Sequence, residues 1–224
     1  MSETSACLKE IYDEVLVNLP GATVAALEIQ TKAVMREFYT VSAAWRIELD
    51  PITLYPGKST YYLDPPLPNA EVLYIHDIWY RIGGSWRRMA KLNQTVFRDR
   101  INRASEGGPS CFKGFADMPG KFEVSPTLST GAEAITEFMI PVVSLIMKEP
   151  WDKRVPLFVT RYWKDVIIDG VLSRMYRQQD KPFSNTQMSQ YHERRFRSGC
   201  HRAREMAKRQ YTDAENTVHF PRFA

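Results

Sequence analysis

The stretch that decides the fold of this 224-residue chain is residues 165–209, DVIIDGVLSRMYRQQDKPFSNTQMSQYHERRFRSGCHRAREMAKR. Two amphipathic helical patterns flank a break at QQDKPFSNTQ. The first pattern begins near Asp152 and has an inner face of Phe158, Tyr162, Val166, Val171 and Met175. The second opens with a capping box, Ser184 with Gln187, runs to about Tyr211, and buries Phe196, Cys200, Ala203 and Ala207. The stretch therefore predicts two consecutive helices.

The N-terminal segment carries a second pair of helical patterns. Residues 4–21, TSACLKEIYDEVLVNLPG, place apolar side chains three and four positions apart, and Pro20-Gly21 ends the pattern. A second helix is predicted from about Thr23 to Thr40. At Trp45 the period changes, because apolar and polar residues then alternate between proline and glycine breaks.

The middle of the chain predicts short strands. LYPGKSTYYL, residues 54–63, indicates a hairpin that turns at Pro56-Gly57, and residues 71–92 indicate another over Gly83-Gly84. CFKGFAD, KFEVSP and ITEFMIPVVSLIMKEP predict three further strands, in which Pro141 indicates an edge position.

This order of elements predicts the α+β class. We expect a helical bundle made of two N-terminal and two C-terminal helices, from residues 1–44 and 150–211. A β-rich domain, residues 45–149, is inserted between the two pairs. Residues 212–224 form an extended C-terminal arm.

Composition narrows the classes of function. The chain is 44% hydrophobic and 25% charged, as in soluble proteins, and no apolar run approaches the roughly 20 residues that span a bilayer. We therefore expect no membrane partner. The first residues, MSETSACLKE, predict no secretory signal. Cys7, Cys111 and Cys200 match neither a disulfide framework nor a metal spacing and indicate a reducing compartment.

Catalytic motifs are absent from the sequence. It contains no HExxH, no GxSxG, no Walker loop and no GxGxxG after a predicted strand. Cys111 and His76 are a nucleophile and a base by residue type, but no sequence feature brings them together. We expect a protein that is not an enzyme and that uses no cofactor and no metal.

Charge is distributed unevenly along the chain. Residues 1–152 contain 15 Lys+Arg and 19 Asp+Glu, whereas residues 153–224 contain 15 and 7. The basic residues concentrate in the last predicted helix, at Arg194, Arg195, Arg197, Arg202, Arg204, Lys208 and Arg209. A solvated helix face, contact with DNA phosphates and docking on an acidic protein surface all fit such a run. The narrow apolar stripe of this helix favours a helix that is covered in an assembly.

A second cationic cluster surrounds Trp86, where YRIGGSWRRMAK supplies Arg81, Arg87, Arg88 and Lys91. Aromatic rings interleaved with basic side chains on one sheet face are typical of single-strand nucleic-acid binding. Packing in a core or an interface is the simpler interpretation of the five tryptophans.

Two segments resemble a known family. Residues 28–66, EIQTKAVMREFYTVSAAWRIELDPITLYPGKSTYYLDPP, resemble the start of tailed-bacteriophage head-to-tail adaptor (connector) proteins, with their "DPI" and "G-x-x-x-Y-x-L" strands. Residues 165–209 resemble the closing helices of that family, with "G-x-L-x-R-(L/M)-Y", a "KP(F/Y)S" break and a basic helix. The similarity covers roughly residues 22–92 and 150–209.

The resemblance implies a structural virion protein of the neck, assembled in the host cytoplasm. Adaptors of this family form a dodecameric ring that joins the portal protein to a tail or nozzle protein and helps retain packaged DNA. The implied partners are therefore the portal, the tail or nozzle, other copies of the chain, and DNA contacted non-specifically in the channel. The basic helix is expected to contact an acidic portal rim. The alternative function is a nucleic-acid-binding module that uses this helix.

The family also explains the apolar tail, AENTVHFPRFA, residues 214–224. Family members dock a C-terminal extension on the portal, which assigns the docking arm to Thr217, Val218, His219, Phe220, Pro221, Arg222 and Phe223. Pro221 favours an extended arm over a helix, because it lacks a backbone donor.

Ending the chain after Asn216 should abolish portal binding without changing the melting temperature. Two aromatic anchors are lost, and truncating one buried anchor typically costs about 2 kcal/mol of binding energy. Thermal unfolding of the truncated protein and its co-sedimentation with portal rings measure both quantities. If the truncated protein unfolds instead, the tail packs on its own domain and the docking arm is wrong.

Overall fold

The computed structural model describes residues 8–82, 84–101, 108–128, 138–151 and 153–209. The protein belongs to the α+β class, and the chain divides into two compact units, residues 1–44 with 150–224 and residues 45–149. The helices of the first unit are α1 (Lys9–Asn18), α2 (Val24–Ser42), α4 (Leu157–Tyr162), α5 (Lys164–Tyr176) and α6 (Thr186–Lys208). The second unit contains one described helix, α3 (Gln94–Ile101), and the strands β1 (Arg46–Glu48), β2 (Ile52–Thr53), β3 (Thr60–Tyr62), β4 (Ala70–Ile82), β5 (Ser85–Arg88), β6 (Ala90–Lys91), β7 (Cys111–Gly114), β8 (Lys121–Ser125) and β9 (Phe138–Met147).

Helix α5 is the centre of the helical unit. It packs against α1, α2, α4 and α6, and α2 also packs against α6. Eight of its 13 residues are buried, including the polar Asp169 and Ser173. The hydroxyl of Ser173 donates to the carbonyl of Gly170 at 3.0 Å, so this buried hydroxyl has a hydrogen-bond partner.

Two glycines allow α5 to approach its neighbours closely. A Cβ on Gly170 would lie 2.5 Å from Val34 Cγ1 of α2 and 2.8 Å from Phe196 Cδ2 of α6. A Cβ on Gly199 would lie 2.5 Å from Val166 Cγ2 of α5. These distances are shorter than van der Waals contact, so only glycine fits at either position.

The break before α6 differs from the predicted capping box. Asn185, not Ser184, is the N-cap, and its side chain accepts a hydrogen bond from the Met188 amide at 3.1 Å. Ser184 still belongs to the preceding turn, where its amide donates to the Lys181 carbonyl at 2.9 Å. The cap prediction was therefore wrong by one residue.

The helical pattern that begins near Asp152 is also interrupted. Trp163 separates α4 from α5 with φ −127° and ψ 11°. Its ring is buried, whereas Tyr162 is 61% exposed. The helical periodicity is interrupted at this residue, and Tyr162 does not lie on the inner face that the periodicity predicted.

The β unit contains a five-stranded sheet and a four-stranded sheet. The first has the order β1-β9-β4-β5, with β2 also paired to β9. The second has the order β3-β8-β7-β6, and its β6–β7 pair is parallel. The hairpin predicted over Gly83-Gly84 is confirmed by the β4–β5 pair.

Two strand predictions were wrong. The residues before and after Pro56-Gly57 do not form a hairpin, because β2 pairs with β9 and β3 pairs with β8. Strand β9 is central and not an edge, since it pairs with β4 on one side and with β1 and β2 on the other. Pro141 is tolerated because it lies between the segments of β9 that pair with β1 and β2, where a missing N–H breaks no ladder bond.

Replacing Gly199 by alanine should lower the free energy of unfolding by about 1–3 kcal/mol, the usual cost of overpacking a core. The clash with the stiff Val166 side chain outweighs the roughly 1 kcal/mol that alanine gains over glycine in helix propensity. Urea unfolding followed by circular dichroism measures the change. Ser198→Ala, at the exposed neighbouring position of α6, is the matched control and should be neutral or slightly stabilising. A stabilised Gly199→Ala variant would contradict the close approach.

Candidate functional site

Among the described residues, Cys111, Cys200 and His76 are buried or engaged in structural contacts. Burial, followed by the charge of Glu37, raises the pKa of Cys200 to about 12, so its thiol is not a nucleophile near neutral pH. The thiol of Cys111 donates to the Ser125 carbonyl at 3.2 Å in one sheet, while His76 Nε2 lies 2.6 Å from Ser144 Oγ in the other. Within the described ranges, no three His, Cys, Asp or Glu side chains cluster as metal ligands. Nor does any helix of those ranges have the length and apolarity to cross a bilayer.

The candidate site is therefore the outer surface of α6. The buried side of this helix carries mostly small residues, Ser189, Phe196, Gly199, Cys200, Ala203 and Ala207. Their compactness brings α6 close to α5 and α2. The arginine and lysine side chains of α6 are exposed.

One line of these residues forms a continuous basic stripe, consisting of Arg194, Arg197, His201, Arg204 and Lys208. Alternating spacings of three and four residues keep them on one face of the helix. At 1.5 Å per residue, the fourteen-residue span is about 21 Å long. The sequence predicted the arginines and the lysine of this stripe. Which basic residues belong to the stripe depends on which side of α6 is buried, and the structure shows that.

Acidic side chains compensate only part of the basic stripe. Glu193 accepts hydrogen bonds at 2.6 Å from both Arg197 and Arg177, and Lys208 donates to Glu205 at 2.7 Å. Arg194 makes no ion pair with any residue that the structure describes. The stripe therefore keeps a net positive charge on the surface.

The other predicted basic residues face a different side of α6. Arg195 and Arg202 lie next to α5, where the Arg202 guanidinium is 5.8 Å from the centre of the buried Trp163 ring. Arg209 follows the last turn, and its amide donates to the Glu205 carbonyl at 3.1 Å. The seven predicted residues thus do not form one surface, because Arg195 and Arg202 hold α6 against α5.

The anchor of that contact is Asp169 in α5, whose carboxylate is only 9% exposed. It accepts a hydrogen bond from Arg195 Nε at 2.9 Å, and its other oxygen lies 2.7 Å from His192 Nδ1. The hydrogen bond to Asp169, followed by the one to Tyr191, raises the pKa of the Arg195 guanidinium. Tyr176 stacks on the His192 ring at 5.7 Å, which fixes the imidazole. The cluster joins the two helices as a structural unit.

A cleft of about 400 Å³ lies beside the basic stripe, between α2, α5 and α6. Its charged residues are paired, since Arg174 donates to Glu37 at 2.7 Å and Glu193 accepts from both Arg177 and Arg197 at 2.6 Å. The cleft is therefore a network of paired side chains, and it presents no convergent set of unpaired groups to a small ligand.

The second cationic cluster of the sequence lies in the five-stranded sheet. The register aligns Trp79 with Arg88 and Arg81 with Trp86, so these four side chains share one face. Phe138, opposite Arg81 on β9, packs edge-on against Trp86 at 5.5 Å. We call these five residues the Trp–Arg face. Arg87 aligns with Tyr80 and lies on the other side, so only Arg81 and Arg88 of the predicted cluster surround Trp86 on this face.

The sequence-based prediction missed His201 of the basic stripe, Asp169, and Trp79 and Phe138 of the Trp–Arg face. The buried role of Asp169 could not be predicted, because a single aspartate within a helical pattern is normally interpreted as a residue on the exposed face. Trp79 could have been found from its alternation with Arg81, whereas Phe138 joins Trp86 only through the pairing of distant strands. The predicted docking arm, residues 217–223, lies outside the described residues.

Comparisons with known proteins identify no family. No protein-family model matches this chain, and no curated protein matches it.

Removing the buried carboxylate by Asp169→Ala should lower the free energy of unfolding by about 2 kcal/mol, because His192 and Arg195 lose their shared acceptor between the helices. Chemical denaturation followed by circular dichroism gives the value. Glu205→Ala is the control. It removes the acceptor of Lys208 in a half-exposed ion pair within α6, and it should leave the unfolding midpoint unchanged. Equal effects of the two substitutions would refute the structural role of Asp169.

Proposed function

We propose that this protein is a bacteriophage head-to-tail adaptor, which forms a ring between the portal and the tail and helps retain packaged DNA. The basic stripe on α6 is the observation that carries the proposal. A second support is the sequence, because the motifs of residues 28–66 and 165–209 resemble those of the adaptor family.

The basic stripe has the properties of an interface between proteins. A helix that only faces solvent usually mixes charges of both signs along its surface. Here five basic side chains share one face over about 21 Å, and Arg194 keeps its charge unpaired among the described residues. Such a surface attracts an acidic partner and guides its orientation. In an adaptor, that partner is the acidic rim of the portal.

The helical unit supplies the scaffold for this role. In the proposal, α1, α2, α5 and α6 are the bundle that packs side by side in the ring. Residues 45–149 are the inserted domain that faces neighbouring copies or the tail, and residues 212–224 are the arm that docks on the portal. The protein would work in the neck of the virion, as a structural component without catalysis or cofactor.

Binding to the portal should depend on the stripe. Replacing Arg194, Arg197 and Arg204 with glutamine should weaken co-sedimentation with portal rings by at least about tenfold and flatten the dependence of binding on salt concentration. The charge-matched control replaces Arg98, Arg161 and Lys181, three exposed basic residues outside α6, and should bind like the wild type.

Two outcomes would contradict the proposal. A wild-type protein that does not co-sediment with portal rings is not an adaptor. The second outcome is a protein that does not bind the portal but binds duplex DNA. If its affinity for DNA falls steeply with salt and is reduced by the triple substitution, the protein is instead a nucleic-acid-binding module.

A further inference from the structure

The Trp–Arg face of the β unit is exposed although it is largely aromatic. Trp79 is 41% exposed and Trp86 is 45% exposed, and both stand on the same side of the sheet as Phe138. Contiguous exposed aromatic side chains with arginine between them are the composition of interaction hot spots. This surface has the character of a binding site.

The charges of this face favour a protein over a polyanion. Arg88 Nε donates to Asp77 at 2.6 Å, so one of the two arginines is already neutralised. Arg81 lies 5.9 Å from the centre of the Phe138 ring and makes no ion pair with a described residue. One uncompensated cation among aromatic rings suits a mostly apolar segment that carries a single carboxylate.

A segment with that chemistry connects β3 to β4. Residues 63–69, LDPPLPN, contain three prolines, of which Pro66 and Pro68 are exposed. Asp64 is exposed as well and forms no ion pair within the described part of the chain. Proline-rich segments are pre-organised as extended helices, and they bind surfaces lined by aromatic rings.

The loop cannot reach the Trp–Arg face of its own copy. It ends at Ala70, the first residue of β4, and Trp79 lies nine residues further along that strand. At about 3.3 Å per residue, roughly 30 Å separate the two sites. A contact between them must therefore join two copies, and it is head-to-tail, because each copy contributes a different surface. Repeated head-to-tail contacts form a closed ring when the rotation between successive copies closes, and an open helical filament when it does not.

We propose that the loop of residues 63–69 of one copy binds the Trp–Arg face of the next. The prolines pack between Trp79 and Trp86, and the Asp64 carboxylate pairs with the Arg81 guanidinium. This inference names the surfaces through which the proposed ring would close, and in that sense it rests on the proposed function. The contact itself requires no portal.

Self-association of the full chain without portal is the test, measured by sedimentation velocity up to about 200 µM. The wild type should associate reversibly, and Trp86→Ala should weaken the association by at least about tenfold, as expected for a hot-spot anchor. Tyr162→Ala, which removes an aromatic ring that is 61% exposed in the other unit, is the matched control and should behave like the wild type.

Charge reversal identifies the pair. Asp64→Arg and Arg81→Asp should each weaken the association by about tenfold, and the double variant should recover it to within about threefold. All the substituted side chains are exposed, so the variants should fold. A wild type that stays monomeric at the highest concentration, or a double variant without recovery, would overturn the inference.

Two further results separate this inference from its alternatives. If the protein binds the portal but does not self-associate through these surfaces, the adaptor function is supported and the proposed contact is refuted. If the double charge-reversal variant recovers association but the protein does not bind the portal, the contact between copies is supported and the adaptor function is refuted. Binding of a 20-nucleotide oligothymidine by the wild type, but not by Trp86→Ala, would make the Trp–Arg face a nucleic-acid site and overturn the contact.

Discussion

The close approach of α5 to α2 and α6 is the constraint on which the helical unit depends. Gly170 and Gly199 leave no room for a side chain, since a Cβ at either position would enter the volume of Val34, Phe196 or Val166. Helices that pack at this distance bury each other along a narrow strip, and apart from Phe196 the buried residues of α6 are small. The remaining circumference of α6 is then free to carry charge.

The same geometry divides the basic residues of α6 into two kinds. Arg195 and Arg202 lie against α5 and stabilise it through Asp169 and the Trp163 ring. The residues of the basic stripe extend away from the packed side, and their charge is available to a partner. A run of arginines that is uniform in the sequence thus has a structural part and a surface part. Arg194, with no compensating carboxylate among the described residues, belongs to the second.

The β unit shows how strand register creates a surface from dispersed residues. Trp79, Trp86 and Phe138 come from three strands and meet on one face only because β4 pairs with both β5 and β9. The β4–β9 register shifts twice, between Val72 and Tyr74 and between Ile75 and Asp77, and is regular where Trp79 and Arg81 lie. Exposed aromatic surfaces of this type favour contact with other molecules.

The sequence by itself determined the α+β class, the positions of α2 and α6, the β4–β5 hairpin and the basic character of α6. These features depend on local periodicity and on turn residues, which act over a few neighbouring positions. Tertiary structure alone decided that β2 and β3 belong to different sheets, that Pro141 lies in a central strand and that Trp163 breaks a helix. It also decided that Asp169 is the acceptor of Arg195 and His192 and that Phe138 meets Trp86. Each of these outcomes joins residues that are distant along the chain, and no local pattern of polarity records which distant neighbour a side chain will contact.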